Sequence, residues 1–169
     1  MPIVSFASYP DGFAGTKYTI EKMRELARKG KVNPIILRAA RTVIRNCPEK
    51  DYESEGECIY NYVRQNVRYT RDPMDVELLQ APEVTLREAS GDCDDVSILI
   101  ASLAEAVGME AAFLTIKANK NLPYDFTHVF PIIRTQKGWR GADPTVAHAY
   151  FGWIPPEATD PKKRKIWPV

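Results

Sequence analysis

At 169 residues the chain is the size of one ordinary domain and can bury a substantial core. Its 44% hydrophobic and 27% charged residues suit a globular protein, and a net charge of +1 supplies no global field toward nucleic acid, membranes or acidic substrates. The 9 glycines and 13 prolines are dispersed, no solenoid-length repeat occurs, and no apolar run approaches the roughly 20 residues needed to cross a bilayer.

The opening MPIVSFASYPDG lacks the basic and long apolar regions of a signal peptide, so the expected location is the cytoplasm. There Cys47, Cys58 and Cys93, an odd count without a C-x-x-C pair, are expected as free thiols. Residues 16–29 carry Ile20, Met23, Leu26 and Ala27 at helical spacing and stop at Gly30. Asn33 as cap and Pro34 in the first turn open a second helix, running to about residue 46 before Pro48. A third helix is predicted from about 54 to 69, with Ile59, Tyr62, Val63 and Asn66 on one side. Residues 70–90, with Asp72-Pro73 and Ala81-Pro82, read as irregular apart from a short helical turn around 75–80.

The next stretch, Gly91-Asp-Cys-Asp-Asp to Gly108, is the most informative. Val96, Leu99, Ile100, Leu103, Ala104 and Val107 form one buried helical face, with Asp92 as N-cap and Asp95 three residues on. Counting back from Val96 places Cys93 in the first turn, on the inward side. Strands are then predicted over 111–117, 125–134 and 139–143, the last closed by Pro144. The domain is expected to span 1–158. Residues 159–169, with the basic run from Lys162 to Lys165, are expected as a tail, in which Trp167 (like Trp153 before it) could anchor to the body or to a partner. Helices followed by a meander predict an α+β fold with an antiparallel sheet.

A cysteine in a helix's first turn meets unpaired N–H groups and the positive dipole end, which favour thiolate and can cradle an oxyanion. Asp94 and Asp95 oppose this, since nearby negative charge disfavours a second anion, so activation requires a histidine partner. Phe126, His128, Phe130 and Ile132 share one strand face by period two, and Trp139, Gly141 and Asp143 share one on the next strand. Pairing Arg134 with Trp139 makes Asp143 a diagonal neighbour of His128, whereas pairing Ile133 with Gly138 sets them opposite. Both registers bring the two Cβ atoms to about 5–8 Å. A carboxylate at that reach holds one ring nitrogen and leaves the other for a thiol. Pattern alone leaves this triad level with a plainer reading: a buried cysteine, a core histidine and a strand-ending aspartate.

Gly91-Asp-Cys-Asp-Asp, Thr127-His128-Val129 and Trp139-Arg-Gly-Ala-Asp-Pro-Thr145, in that order, resemble the three blocks of the transglutaminase-like superfamily of cysteine peptidases and acyltransferases. Tyr69-Thr-Arg-Asp72 and Gln80-Ala-Pro82 add likeness to its small bacterial and bacteriophage members, so the resemblance covers about residues 54–145. It implies a papain-like core, with N-terminal helices packed on an antiparallel sheet and the nucleophile at the start of a central helix. It further implies Cys93 as nucleophile, His128 as general base and acid, and Asp143 as its orienting partner. The oxyanion would be held by the Cys93 N–H, with Gln80 or Tyr69 as side-chain partner.

Two rival readings remain. Cys93, His128 and Asp92, Asp94 and Asp95 could be metal ligands, but neither His-x-x-x-His, paired-cysteine nor calcium-loop spacing is present. His148 could serve as a second base, yet it follows the Asp-Pro break without an evident carboxylate. The other rival is a structural module of a larger assembly, such as a phage virion, docking through its proline-rich basic tail. The sequence reading is therefore a cysteine-dependent acyl-transfer enzyme acting on a protein or peptide amide through a thioester, with no metal or other cofactor and no membrane or nucleic-acid partner.

Overall fold

A computed structural model of the chain describes residues 3–6, 13–72 and 77–169. In chain order the elements are β1 (Ile3–Phe6), α1 (Phe13–Gly30), α2 (Pro34–Val43), α3 (Tyr52–Asn66), β2 (Arg68–Tyr69), β3 (Glu77–Gln80) and α4 (Pro82–Glu88). There follow β4 (Ser90–Gly91), α5 (Cys93–Ala106), β5 (Ala111–Ile116), β6 (His128–Thr135), β7 (Gly138–Gly141), a 3-10 turn at Pro156–Thr159 and β8 (Arg164–Pro168).

The most apolar helix makes the centre. Every residue of α5 from Asp94 to Ala104 is buried, not only the single face expected from periodicity. Ile98 and Ala101 are as inaccessible as Leu99 and Leu103. A helix apolar on all sides must be enclosed, and α1, α2, α3 and α4 pack around α5 while β6 covers it from the sheet side.

The sheet is antiparallel, in the order β7-β6-β5-β8. Alternation divides its residues between two apolar layers. Ala111, Phe113, Val129, Ile133 and Trp167 join the core around α5. Ala112, Leu114, Ile116, Phe130 and Ile132 face the other way, covered by Ala158, with Trp139 and Ile154 at the margin. The molecule is thus α+β, with the helices on one side of an antiparallel sheet.

Several expectations need correction. Residues 159–169 are not a free tail: β8 pairs along β5, Trp167 is buried, and its Nε1 donates to Thr115 Oγ1 at 3.0 Å. Of the segment expected as a helical turn, 75–76 lie outside the described residues and Glu77–Gln80 form a strand beside β1. The Ala81-Pro82 break is a helix start, because proline fits the first turn, where its missing N–H is not needed. Helix α3 stops at Asn66, since Arg68–Tyr69 pair in parallel with Ser90–Gly91. Among the described residues, no helix is long and apolar enough to cross a membrane.

Candidate active site

The first turn of α5 is built by reciprocal capping. Asp92 Oδ1 accepts from the N–H groups of Asp94 (2.9 Å) and Asp95 (3.1 Å), and Asp95 Oδ2 accepts from the Asp92 N–H at 3.3 Å. Gly91 permits the approach, since a Cβ there would lie 2.6 Å from the Asp95 Cβ. Gln80 fastens β3 to the same turn. Its backbone N–H and side-chain Nε2 donate to the two Asp95 oxygens at 2.8 and 2.9 Å, and Nε2 reaches Ser90 O at 3.4 Å. The amide expected as an oxyanion donor therefore has its protons directed at Asp95 and Ser90.

Cys93 begins the helix, half-buried at the edge of the core. Its thiol donates to Asp94 Oδ1 at 3.4 Å and is not hydrogen-bonded to the imidazole. Burial pushes the thiol pKa up, and the charges of Asp94, Asp92 and Asp143 add to this. Burial and the acidic residues thus oppose the helix dipole, as the positions of Asp94 and Asp95 in the sequence lead one to expect.

His128 opens β6 opposite Ile116, and its ring stacks on Phe130 with centroids 5.9 Å apart. Its Nε2–H donates to Asp143 Oδ2 at 2.6 Å, with the imidazole 21% and the carboxylate 1% exposed. Of the two registers open to the sequence, the hairpin adopts Arg134 opposite Trp139, and Ala142 N–H to Pro131 O continues the ladder. Asp143 therefore lies diagonal to His128. Gly138, at a φ of 92°, takes up the tight turn after Lys137 in a conformation other residues resist. The other Asp143 oxygen accepts from Thr145 N–H at 2.9 Å and Thr145 Oγ1–H at 2.7 Å. Burial alone would raise the Asp143 pKa, but the bond to His128, its charge and the Thr145 bonds outweigh it and hold the carboxyl below its ordinary value. With Nε2 engaged, Nδ1 is the ring nitrogen left for a second partner.

Tyr69 is backbone-paired to Gly91, two residues before Cys93. Burial raises its hydroxyl pKa, the charge of Cys93 adds to the rise, and a bond to Arg71 opposes it. Thr145, which orients Asp143, was legible as the turn-forming residue of Asp-Pro-Thr. Tyr60 and Arg64 gave less signal: one helical turn apart on α3, they donate to the Ala149 carbonyl, and Arg64 also to Ala147 O. They tie the segment after Asp143 to that helix. His148, the alternative base, packs edge-on against Trp153 with ring centroids 5.0 Å apart.

Asp92, Cys93 and Asp94 each bring one ligand-type atom within 4.8 Å of the others, and His128 is not in that group. The Asp92 carboxylate serves as the helix cap and Asp94 accepts the thiol, so helix capping and thiol bonding account for these contacts.

The sequence model of the transglutaminase-like superfamily matches residues 38–155. No curated protein matches the chain in sequence. Among solved structures, a "putative cysteine protease" from Cytophaga hutchinsonii aligns with a TM-score of 0.51 and 21% identity, over 78% of this chain and 45% of its own. A "putative protease" from Parabacteroides distasonis aligns with a TM-score of 0.55 and 12% identity, over 74% of this chain and 26% of its own. The chain spans less than half the length of either structure, and at these identities the likeness is one of fold.

Proposed function

The chain belongs to the transglutaminase-like superfamily, and from that premise we propose that it is a cysteine-dependent acyl-transfer enzyme acting on an amide bond of a protein or peptide. Cys93 is the nucleophile, His128 the base and acid, and Asp143 the group that orients the ring. The observation that carries this reading is the 2.6 Å bond from His128, at the start of the strand beside α5, to the buried, doubly anchored carboxylate of Asp143. A surface ion pair would not need such a mount, whereas a ring that must keep one tautomer does.

In the proposed reaction the Cys93 proton passes to His128 Nδ1 as the sulfur attacks the amide carbon. The oxyanion forms against the Cys93 N–H, which lies in the first helical turn and has no intrahelical partner. With the Gln80 amide directed at Asp95 and Ser90, Tyr69, backbone-paired to Gly91, is the side-chain donor of this reading. The imidazolium then protonates the leaving amine, and a thioester remains on Cys93. Water or a second amine discharges the thioester, giving hydrolysis or transamidation by one intermediate. Because burial and then the acidic first turn disfavour thiolate, the proposed step has the thiol lose its proton during attack.

The pH profile of Cys93 alkylation by iodoacetamide tests this, read by peptide mapping in the parent chain and in His128→Ala. Reaction near neutral pH should depend on His128. A profile that rises only in the alkaline range and is the same in both proteins would overturn the proposal.

A further inference from the structure

Two cysteines lie outside the candidate site. Cys47 follows α2 in the connection to α3, and its thiol donates to the Ser54 carbonyl at 3.6 Å. Within α3 that carbonyl is the helical acceptor for the residue four positions on, which is Cys58. Helical side chains lean back over the preceding turn, so the Cys58 thiol projects over Ser54, toward Cys47. Both cysteines are partly accessible. From this juxtaposition we propose that Cys47 and Cys58 form an intramolecular disulfide on exposure to a low-molecular-weight disulfide, making them a thiol modification site separate from Cys93.

The chemistry proceeds in two exchanges. Cys47 holds its proton: burial, then the bond and charge of Cys58, then Glu55 and Asp51, push its pKa up to about 12. With Cys47 so held, the first exchange falls to Cys58. Its thiolate attacks the small disulfide R–S–S–R, the Cys58–S–S–R bond forms, and R–S⁻ leaves to take up the displaced proton. Once Cys58 is capped, its thiol no longer bonds to Cys47, and that restraint on Cys47 is removed. The Cys47 thiolate then attacks the Cys58 sulfur and expels the second R–S⁻. Overall two thiol protons and two electrons pass to R–S–S–R, which leaves as two R–SH, and one protein disulfide remains. The closed ring contains Asp51, the cap of α3, so oxidation staples the start of the helix that carries Tyr60 and Arg64.

The full chain with Cys93→Ser, equilibrated with reduced and oxidised glutathione at mildly alkaline pH, tests the proposal by intact mass and peptide mapping after acid quench. A single 47–58 link that retains no glutathione and reverses with dithiothreitol is expected. The effective concentration of the pair in native buffer should exceed that in guanidinium chloride by about tenfold or more. The companion variant Cys47→Ser should hold one glutathione on Cys58 under the same conditions. Glutathione retained by the Cys93→Ser chain at equilibrium, links between molecules, or an effective concentration no higher than in denaturant would overturn it.

Discussion

Asp143→Asn isolates the orienting carboxylate, because the mount dictates how the amide must sit. Thr145 N–H and Oγ1–H both donate to Oδ1, so the amide oxygen has to stay under those donors. The amide nitrogen then replaces Oδ2, directed at His128 Nε2, where the native bond measures 2.6 Å. Two N–H groups cannot face one another, so the ring proton moves to Nδ1 and Nε2 becomes an acceptor. The nitrogen proposed to accept the thiol proton is lost.

A charge-assisted bond worth about 1.5–3 kcal/mol is exchanged for a neutral one of about 0.5–1.5 kcal/mol. The expected destabilisation is about 1–2 kcal/mol, or roughly 2–8 °C in Tm for a chain of this size. The pH sign follows from the lowered carboxyl pKa. Asp143's contribution is complete above the unfolded value of 3.8 and disappears as pH falls through the lower folded value. The stability gap between the two proteins should therefore close only in acid. Cys93 alkylation near neutral pH should slow by at least roughly tenfold, a barrier rise of about 1.4 kcal/mol. With 2 histidines in the chain, nitrogen NMR can assign the His128 tautomer directly. A folded variant with unchanged tautomer and unchanged alkylation would refute the orienting role.

Gly91→Ala should destabilise by about 1–3 kcal/mol, because the new methyl meets the Asp95 Cβ at 2.6 Å and strains the cap; a urea midpoint equal to the parent's would contradict this. Asp92→Asn keeps an oxygen for both cap bonds and removes a carboxyl that burial, and then the charge of Asp95, push up to about 7. In the parent, the unfolded chain releases that proton from 3.8 upward while the folded one retains it to about 7, so this group lowers stability across that window. The variant should lack the decline, and parallel pH–stability curves would argue against the assignment. Trp167→Ala, at a side chain 6% exposed, should cost about 3–5 kcal/mol by thermal or urea unfolding. Deletion of residues 160–169 should be at least as damaging, whereas a tail would be dispensable.

What the sequence displayed best was what neighbouring residues decide among themselves. The cap at Asp92, the position of Cys93 and the Asn33-Pro34 helix start all follow from short-range chemistry. The hairpin register was left two-fold because period-two alternation fits both pairings, and the turn ending at Gly138 selects one. Elements whose partners lie far along the chain were hidden. β3 is four residues long and gains its identity from β1, more than seventy positions earlier. β8 exposes Lys165 and Ile166 and buries little besides Trp167, so its basic composition reads as a tail. At the site, the His128–Asp143 juxtaposition was deducible from strand phase, but the engagement of Gln80 with Asp95 was not. It joins side chains fifteen positions apart that share no periodic element.

The pairing of β8 with β5 has a consequence for how the protein is made. The two strands are separated by some fifty residues, and β8 leaves the ribosome after every other strand of this sheet. Until it emerges, a nascent chain with α5 and the β5–β6–β7 meander already synthesised presents the free edge of β5, whose every residue is apolar or threonine. Such an edge is a template for pairing with another chain. Translation stalled shortly before residue 164 should therefore yield a species that aggregates or recruits chaperones, whereas emergence of residues 164–168 closes the edge within the same molecule.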